Sequence, residues 1–277
     1  MALRLRCGNF LLDLSRPLVM GIVNLTDDSF SGDGLGEDVA RALAQAHRMV
    51  EEGADLLDVG AESSRPGAEP VPAGQEMDRV MAALDVLVPL GVPVSVDTVR
   101  PEVMSAAIAS GAALINDINA LRAPAALAAV AGSEAGVCLM HMRGEPRTMQ
   151  QDPEYGDVVG DVKAFLAERV EAAENSGIAR ERLLLDPGFG FGKTVRHNWE
   201  ILRRLDEFGD LGLPVLAGLS RKSMLGAVTG RPPGERQVAS AAAAMLAARN
   251  GARVLRVHDV AATRDALAVL AAMEQGE

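Results

Sequence analysis

Eight short apolar runs, each ending in polar residues and followed by a helical pattern, constrain this 277-residue chain more than any other feature. They are LVMGIVN (18–24), DLLDVGAES (55–63), VPVSVDT (92–98), AALINDI (112–118), AGVCLMHM (135–142), RLLLDPG (182–188), LPVLAGLS (213–220) and ARVLRVHD (252–259). Near-continuous apolarity over this length suits strands buried on both faces, as in a parallel sheet. The segments between repeat apolar residues at spacings of three and four. Pro101 stands at the first turn of one, and Gly53, Gly111, Gly177 and Gly251 close four of them just before the next strand. Eight strand–helix alternations predict a (β/α)8 TIM barrel of the α/β class, with a doubly wound sheet as the competing architecture. The predicted organisation is one domain over 1–277. The first 16 residues form a hairpin around Gly8-Asn9 that covers the barrel bottom.

Composition excludes several classes of function. A net charge of −11 gives no basic footprint for nucleic acid, so no nucleic-acid partner is expected. No stretch approaches the ~20 apolar residues of a membrane span, and the N-terminus has only the short run FLL, so a cytoplasmic protein without a membrane partner is expected. Cys7 and Cys138 are read as reduced thiols. With aromatic residues at 3%, the core falls to Leu, Val, Ala and Ile.

In such a barrel the active site lies at the C-terminal ends of the strands. Those ends read Asn24; Glu62, Ser63 and Ser64; Asp97; Asn116 and Asp117; His141; Asp186; Ser220 to Lys222; and Arg256 with His258. Helix caps and turns explain any one of these polar endings, but not eight at the same end. Asp97, Asn116 and Asp186 suit a flat heterocycle with alternating N–H and C=O edges. The turn PGFGFGK carries Phe189 and Phe191, which form either an aromatic slot or plain packing; its spacing is not that of a Walker loop. Arg65, Arg221, Lys222, Arg256 and His258 are localised cations suited to gripping an anion, and Ser220 is placed to cap a helix. The stretch MGIVNLTDDSFSGDG (20–34) crowds Asp27, Asp28 and Asp33 behind Asn24 and leaves metal, substrate and turn open.

The motifs MGIVNLTDDSFS, DVGAESSRPGA, SVDT, INDI, LMHMRGEPRTMQ, LLDPGFGFGKT, LAGLSRKSML and RVHD occur in order from residue 18 to 259. Together they resemble the bacterial dihydropteroate synthase family of pterin-binding barrels. The resemblance implies a transferase of folate biosynthesis. Such an enzyme joins 6-hydroxymethyl-7,8-dihydropterin diphosphate to 4-aminobenzoate, is assisted by Mg2+, is competed by sulfonamides and is usually a homodimer through late helices. By motif match, Asp97, Asn116, Asp186, Gly218 and Lys222 contact the pterin, with Arg256 stacked on it and Met140 packed nearby. Asn24, Arg65, Arg256 and His258 hold the diphosphate, Asn24 also at the metal. Ser64, Arg65, Pro66, Phe191, Lys222 and Ser223 form the aminobenzoate side. The catalytic set so implied is Asn24, Asp97, Lys222, Arg256 and His258, in an SN1-like substitution without a covalent enzyme nucleophile.

Two departures from the family pattern stand in the first loop: Asp27 replaces a proline, and Gly32–Asp33 reverses an Asp–Gly pair. Two rivals share the pterin acceptors: a methyltetrahydrofolate–corrinoid methyltransferase and a catalytically silent pterin-binding paralogue. The first has no need of Arg65, the SRKS cations or Arg256–His258. The small-residue helix 238–248 allows close approach of a second copy or simple packing on the barrel.

Overall fold

A computed structural model describes residues 3–25, 39–61, 71–145 and 148–275, with the side chain of Asn24 outside the description. Ten strands run in chain order: β1 (Arg4–Cys7), β2 (Phe10–Asp13), β3 (Leu18–Asn24), β4 (Leu56–Gly60), β5 (Val94–Asp97), β6 (Leu114–Asp117), β7 (Gly136–Met140), β8 (Leu183–Asp186), β9 (Leu216–Ala217) and β10 (Val254–Val257). The helices are α1 (Val39–Glu51), α2 (Ala73–Leu87), α3 (Pro101–Ala109), α4 (Ala126–Ala131), α5 (Val158–Asn175), α6 (Val195–Arg203), α7 (Ser223–Thr229), α8 (Gln237–Arg249) and α9 (Val260–Gln275). Strands β3 to β10 form one parallel sheet in the order β8-β7-β6-β5-β4-β3-β10-β9. A parallel bridge between Leu185 and Val215 joins its two ends. That closure decides for the barrel over the doubly wound sheet. Strand β9 is shorter than its apolar run because Pro214 has no N–H; its carbonyl instead accepts from the Leu185 amide at 2.9 Å.

The glycines that close four helices do so by one device. Gly53, Gly111, Gly177 and Gly251 all take positive φ, between 93° and 101°. The residue after each reaches back five positions: Ala54 to Met49, Ala112 to Ala107, Ile178 to Ala173 and Ala252 to Ala247, at 2.8–3.1 Å. This is the Schellman closure; at Ala54, Ala112 and Ala252 the next strand begins two residues later, and after Ile178 a short 3-10 turn, Arg180–Arg182, comes first. At the N-terminus, β1 and β2 pair antiparallel around Gly8, whose φ is 56°.

Because side chains alternate along a strand, each barrel strand splits its residues between two environments. Val19, Val23, Leu57, Val59, Val96, Ile115, Leu139, Leu185 and Leu255 face outward and pack with the buried faces of the helices. Leu18, Met20, Leu56, Leu114, Cys138, Leu184, Leu216 and Val254 face inward at the N-terminal end, where Leu5, Cys7 and Leu14 from the hairpin segment complete the same cluster. Two residues further along the inward face, chemistry replaces packing. Leu56 gives way to Asp58, Leu114 to Asn116, Leu184 to Asp186, Leu216 to Gly218 and Val254 to Arg256. Most functional residues of the barrel floor therefore rest on an apolar residue two positions earlier; Asp97, above Ser95, is the exception.

Candidate active site

Register brings the inward residues together. Gly60 lies opposite Asp97 and Asp97 opposite Asn116; Met140 lies opposite Asp186, and Arg256 opposite Met20. At the centre is an ion cluster. Arg256 donates from Nε to Asp58 Oδ2 at 2.6 Å and from Nη2 to Asp97 Oδ2 at 3.1 Å. Asn116 Nδ2 lies 3.5 Å from the same Asp58 oxygen. Asp58 Oδ1, Asn116 Oδ1 and the hydroxyl of Ser95 are buried without a hydrogen-bond partner among the described residues. Buried polar atoms rarely stay unpaired, and a water or a ligand completes such groups.

Burial raises the carboxyl groups. Asp97 is pushed up to about 7, chiefly by loss of solvent and then by the charge of Asp58, against the pull of Arg256. Asp186 is raised by the same desolvation, against Lys222 and the Gly188 amide, which donates to Asp186 Oδ1 at 2.7 Å. The Lys222 ammonium is pulled down to about 8 by burial, with Asp186 opposing. For Arg256 burial acts downward, but Asp58 and Asp97 outweigh it and hold the guanidinium charged. Three carboxylates thus face two cations on the floor.

On one side of the floor, Lys222 donates to the Phe189 carbonyl and lies 4.6 Å from the centroid of the Phe191 ring. Ser223 is the first residue of α7. Met140 packs with Ile118, Met142 and Met149 beside Phe191. His258, two residues beyond Arg256, is held by Ser220: its backbone amide donates to the hydroxyl at 3.2 Å, and its Nδ1 lies 2.9 Å from it. That is the work of Ser220. It does not cap α7, which begins three residues later behind Lys222.

Strand-end position alone over-selected polar residues. Asp117 faces outward, and its oxygens accept from the Asn119 and Leu121 amides at 2.7 Å each, so it caps a turn. His141 also faces away; its ring meets Phe165 of α5 edge-on at 4.9 Å and its Nδ1 lies 2.9 Å from Lys193 Nζ. Arg221, grouped with the anion-gripping cations, takes φ 58° and pairs with Asp259 at 2.8 Å outside the floor. Glu62, Ser63, Ser64, Arg65, Pro66, Asp27, Asp28 and Asp33 lie outside the described residues.

Two features escaped the strand-end reading. Asp58 has no solvent exposure and anchors Arg256; a carboxylate in mid-run of DLLDVG was its visible signal. Glu76, buried in α2, accepts from Thr98 Oγ1 at 2.6 Å and from Arg100. Arg100 also donates to the Val71 carbonyl at 2.6 Å, tying the end of β5 to the chain entering α2.

A closed (β/α)8 barrel with an acidic floor, unpaired acceptors and an anchored arginine defines a binding site for a flat, N–H-rich heterocycle. Residues 20–258 match the family of pterin binding enzymes. The chain is 48% identical to the dihydropteroate synthase of Haemophilus influenzae, over 96% of this chain and 98% of that protein. Its structure is similar to that of Yersinia pestis dihydropteroate synthase in a sulfonamide drug complex, with a TM-score of 0.95 and 44% identity, covering 99% and 100% of the two chains. It is also similar to Burkholderia cenocepacia dihydropteroate synthase complexed with 7,8-dihydropteroate, at a TM-score of 0.91 and 51% identity, covering 99% and 98%. The chain belongs to the dihydropteroate synthase family of pterin binding enzymes.

Proposed function

We propose that this barrel joins 6-hydroxymethyl-7,8-dihydropterin diphosphate to 4-aminobenzoate, giving 7,8-dihydropteroate and diphosphate in folate biosynthesis. The observation that carries the reading is the floor itself: unpaired Asn116 Oδ1 and Asp58 Oδ1 beside the raised Asp97 and Asp186. These acceptors take the N–H edge of the pterin; Lys222 donates to it, Arg256 covers its face, Met140 packs against it, and Gly218 leaves room beside Arg256. His258, with Asn24 and Arg65, receives the diphosphate.

The chemistry follows from that placement. The C–O bond to diphosphate breaks with its electron pair leaving on oxygen, and the pterin methylene becomes cationic. The carboxylates of the floor favour that charge electrostatically. The arylamine, held by Ser64, Arg65, Pro66, Phe191, Lys222 and Ser223, forms the new C–N bond and releases its proton to solvent. No enzyme nucleophile is required. Cys138 is fully buried inside β7, and burial raises its thiol well above the ordinary range.

For Mg2+ the donor set is thin. Among the described residues no group of three or more His, Cys, Asp or Glu is arranged around a common point, and Asp58 and Asp97 are engaged by Arg256. Such a set fits an ion held mainly by diphosphate oxygens and water. Asn24, at the mouth end of β3, is the proposed protein ligand. When bound, the ion would neutralise charge on the leaving group.

Among the described residues no helix is long and apolar enough to cross a membrane. A homodimer through the late helices is supported by Val238 and Leu246 of α8 and Val269 and Met273 of α9, which are exposed apolar side chains; light scattering at twice the 29.0 kDa chain mass is the expected result. The activity is tested by a coupled assay with both substrates. Diphosphate and dihydropteroate should appear one to one and only when both are present. Pterin binding without diphosphate release would overturn the reading.

A further inference from the structure

The turn after β8 is held by an unusual concentration of side chains. Gly188, Gly190 and Gly192 take positive φ of 71°, 79° and 63°. A Cβ at 188 would strike the His141 carbonyl, and one at 192 the Arg143 carbonyl. This leaves the carbonyls of 188 to 192 outside any ladder, and each accepts from a side chain. Lys193 Nζ donates to Gly188 O at 2.9 Å and to Phe191 O at 3.0 Å. Lys222 takes Phe189 O and Gln150 takes Gly190 O, while the Tyr155 hydroxyl donates to Gly192 O at 2.8 Å.

Lys193 alone holds two of the five, from beneath. Its other partners are His141 Nδ1 at 2.9 Å and the His141 carbonyl at 3.4 Å, so every N–H of an ammonium has an acceptor. His141 is suited to accept: burial first, and the charge of Lys193 second, push its pKa down to about 2, so the ring is neutral. Lys193 is 2% exposed, too buried to touch a substrate. Burial pulls its ammonium well below the ordinary lysine range, with Asp186 opposing.

We propose that Lys193 is a positioning residue for the condensation: it staples the 188–191 turn and so holds the Phe191 ring against the Lys222 side chain, 4.6 Å from its Nζ, on the side where 4-aminobenzoate is placed. The inference rests on the proposed placement of aminobenzoate beside Phe191 and Lys222. Asp186 belongs to β8 and its backbone is kept in place by the ladder; the turn reaches its side chain only through the Gly188 amide, so the pterin side should feel loss of the staple less than the aminobenzoate side. Losing the staple therefore separates the two substrates, which a general loss of structure does not.

The test compares Lys193→Met with Phe191→Ala by steady-state kinetics, and reads hydrogen exchange of residues 188–193 in the substrate-free protein. Lys193→Met is expected to accelerate exchange in that segment. It should raise KM for aminobenzoate about tenfold, the scale of one charge-assisted hydrogen bond, with KM for the pterin diphosphate changed less than about threefold. His141→Gln, which keeps an acceptor for the ammonium, should stay near the native values, and His141→Leu should repeat the Lys193→Met pattern; this pair decides the matter if Lys193→Met does not fold. Unchanged exchange, or equal rises in both KM values, overturns the proposal. A selective rise in Phe191→Ala without one in Lys193→Met also overturns it and leaves the aminobenzoate placement standing. Faster exchange in Lys193→Met with no aminobenzoate effect in Phe191→Ala identifies the placement of aminobenzoate as the part that failed.

Discussion

The sharpest consequence of the barrel floor concerns Asp58, whose two effects should separate. Its Oδ2 lies 2.6 Å from both Nε and Nη2 of Arg256, and it has no solvent exposure, whereas the Arg256 side chain is 22% exposed. At an effective dielectric near 20, a unit pair about 4 Å apart attracts by roughly 4 kcal/mol, an upper figure that solvent access at Arg256 and the second partner, Asp97, reduce. Asp58→Asn removes a buried charge from a floor with a surplus of carboxylates and keeps an acceptor oxygen. Desolvation relief offsets the lost attraction, and stability should stay within about 1 kcal/mol of the parent. Function should not. Arg256 loses its anchor, turns toward Asp97 and covers an acceptor meant for the pterin. A fall in kcat/KM of about 10- to 100-fold is expected, equivalent to roughly 1.4–2.8 kcal/mol of transition-state stabilisation.

Arg256→Met reverses the balance: it leaves Asp58 and Asp97 buried and unpaired, at a cost of about 3 kcal/mol or more. For a chain of this size that lowers Tm by roughly 6–12 °C. The double variant should recover part of that loss, because the orphaned charge at 58 is gone, with a coupling of about 1–2 kcal/mol. Urea unfolding and the diphosphate-release assay on the four proteins complete the cycle. Asp58→Asn with kcat/KM within twofold of the parent, or a double variant no more stable than Arg256→Met, would refute the anchoring argument.

Two further expectations concern pH and inhibitors. Burial lifts Asp97 to about 7 and Asp117 to about 6, above the ~4 of the unfolded chain, so the folded state holds protons the unfolded state has released. The stability they contribute is complete below pH ~4 and lost as pH rises through 6–7. His141 and His197, both held below the ordinary imidazole range by burial, act in the opposite sense as the unfolded chain gives up its imidazole protons near pH ~6.5. The carboxyl contribution is therefore read by difference: Tm of the parent minus Tm of Asp97→Asn, both substrate-free, should fall between pH 5.5 and 7.5, and a difference that is level or rises over that range contradicts the assignment. Since DPGFGFGK carries no insertion, sulfonamides should compete with aminobenzoate in the ordinary way; undiminished turnover at sulfonamide levels far above the aminobenzoate KM would exclude that.

The barrel was legible because its signal is redundant. Eight apolar runs, four closing glycines and Pro101 each report the same alternation, and the Schellman closures at Gly53, Gly111, Gly177 and Gly251 turn a sequence mark into a backbone geometry. The site was legible only to the nearest residue. Asn116 and Asp117 are adjacent in INDI, as are Met140 and His141 in LMHM, and a strand end in sequence does not say which of two neighbours faces inward. Counting by twos from the buried leucines would have separated them: Leu114 leads to Asn116, and Cys138 to Met140. The same count from Leu56 reaches Asp58, which lies inside its strand and not at its end. The pairing of Arg221 with Asp259 was hidden for a different reason. The positive φ of Arg221 turns the side chain toward Asp259, and nothing in LSRKS announces a left-handed residue without glycine or asparagine.

Charge layering links that parity to the reaction. The inward face passes from apolar at the hairpin end to acidic at the floor, while Lys222 and His258 follow from the last two strands. Burial raises the carboxyls of the floor, as at Asp97 and Asp186, and the cost is relieved by a ligand that brings N–H donors or positive charge. Anionic diphosphate gains nothing from that layer and is drawn to the cationic side chains at the mouth. The proposed cleavage separates the two charges along the same axis: the pterin methylene becomes positive over the carboxylates as diphosphate leaves toward the cations. An Asp186→Asn change should therefore weaken the transition state more than pterin binding, lowering kcat by a larger factor than it raises the pterin KM. Equal effects on both would mean that the floor recognises the heterocycle without assisting bond cleavage.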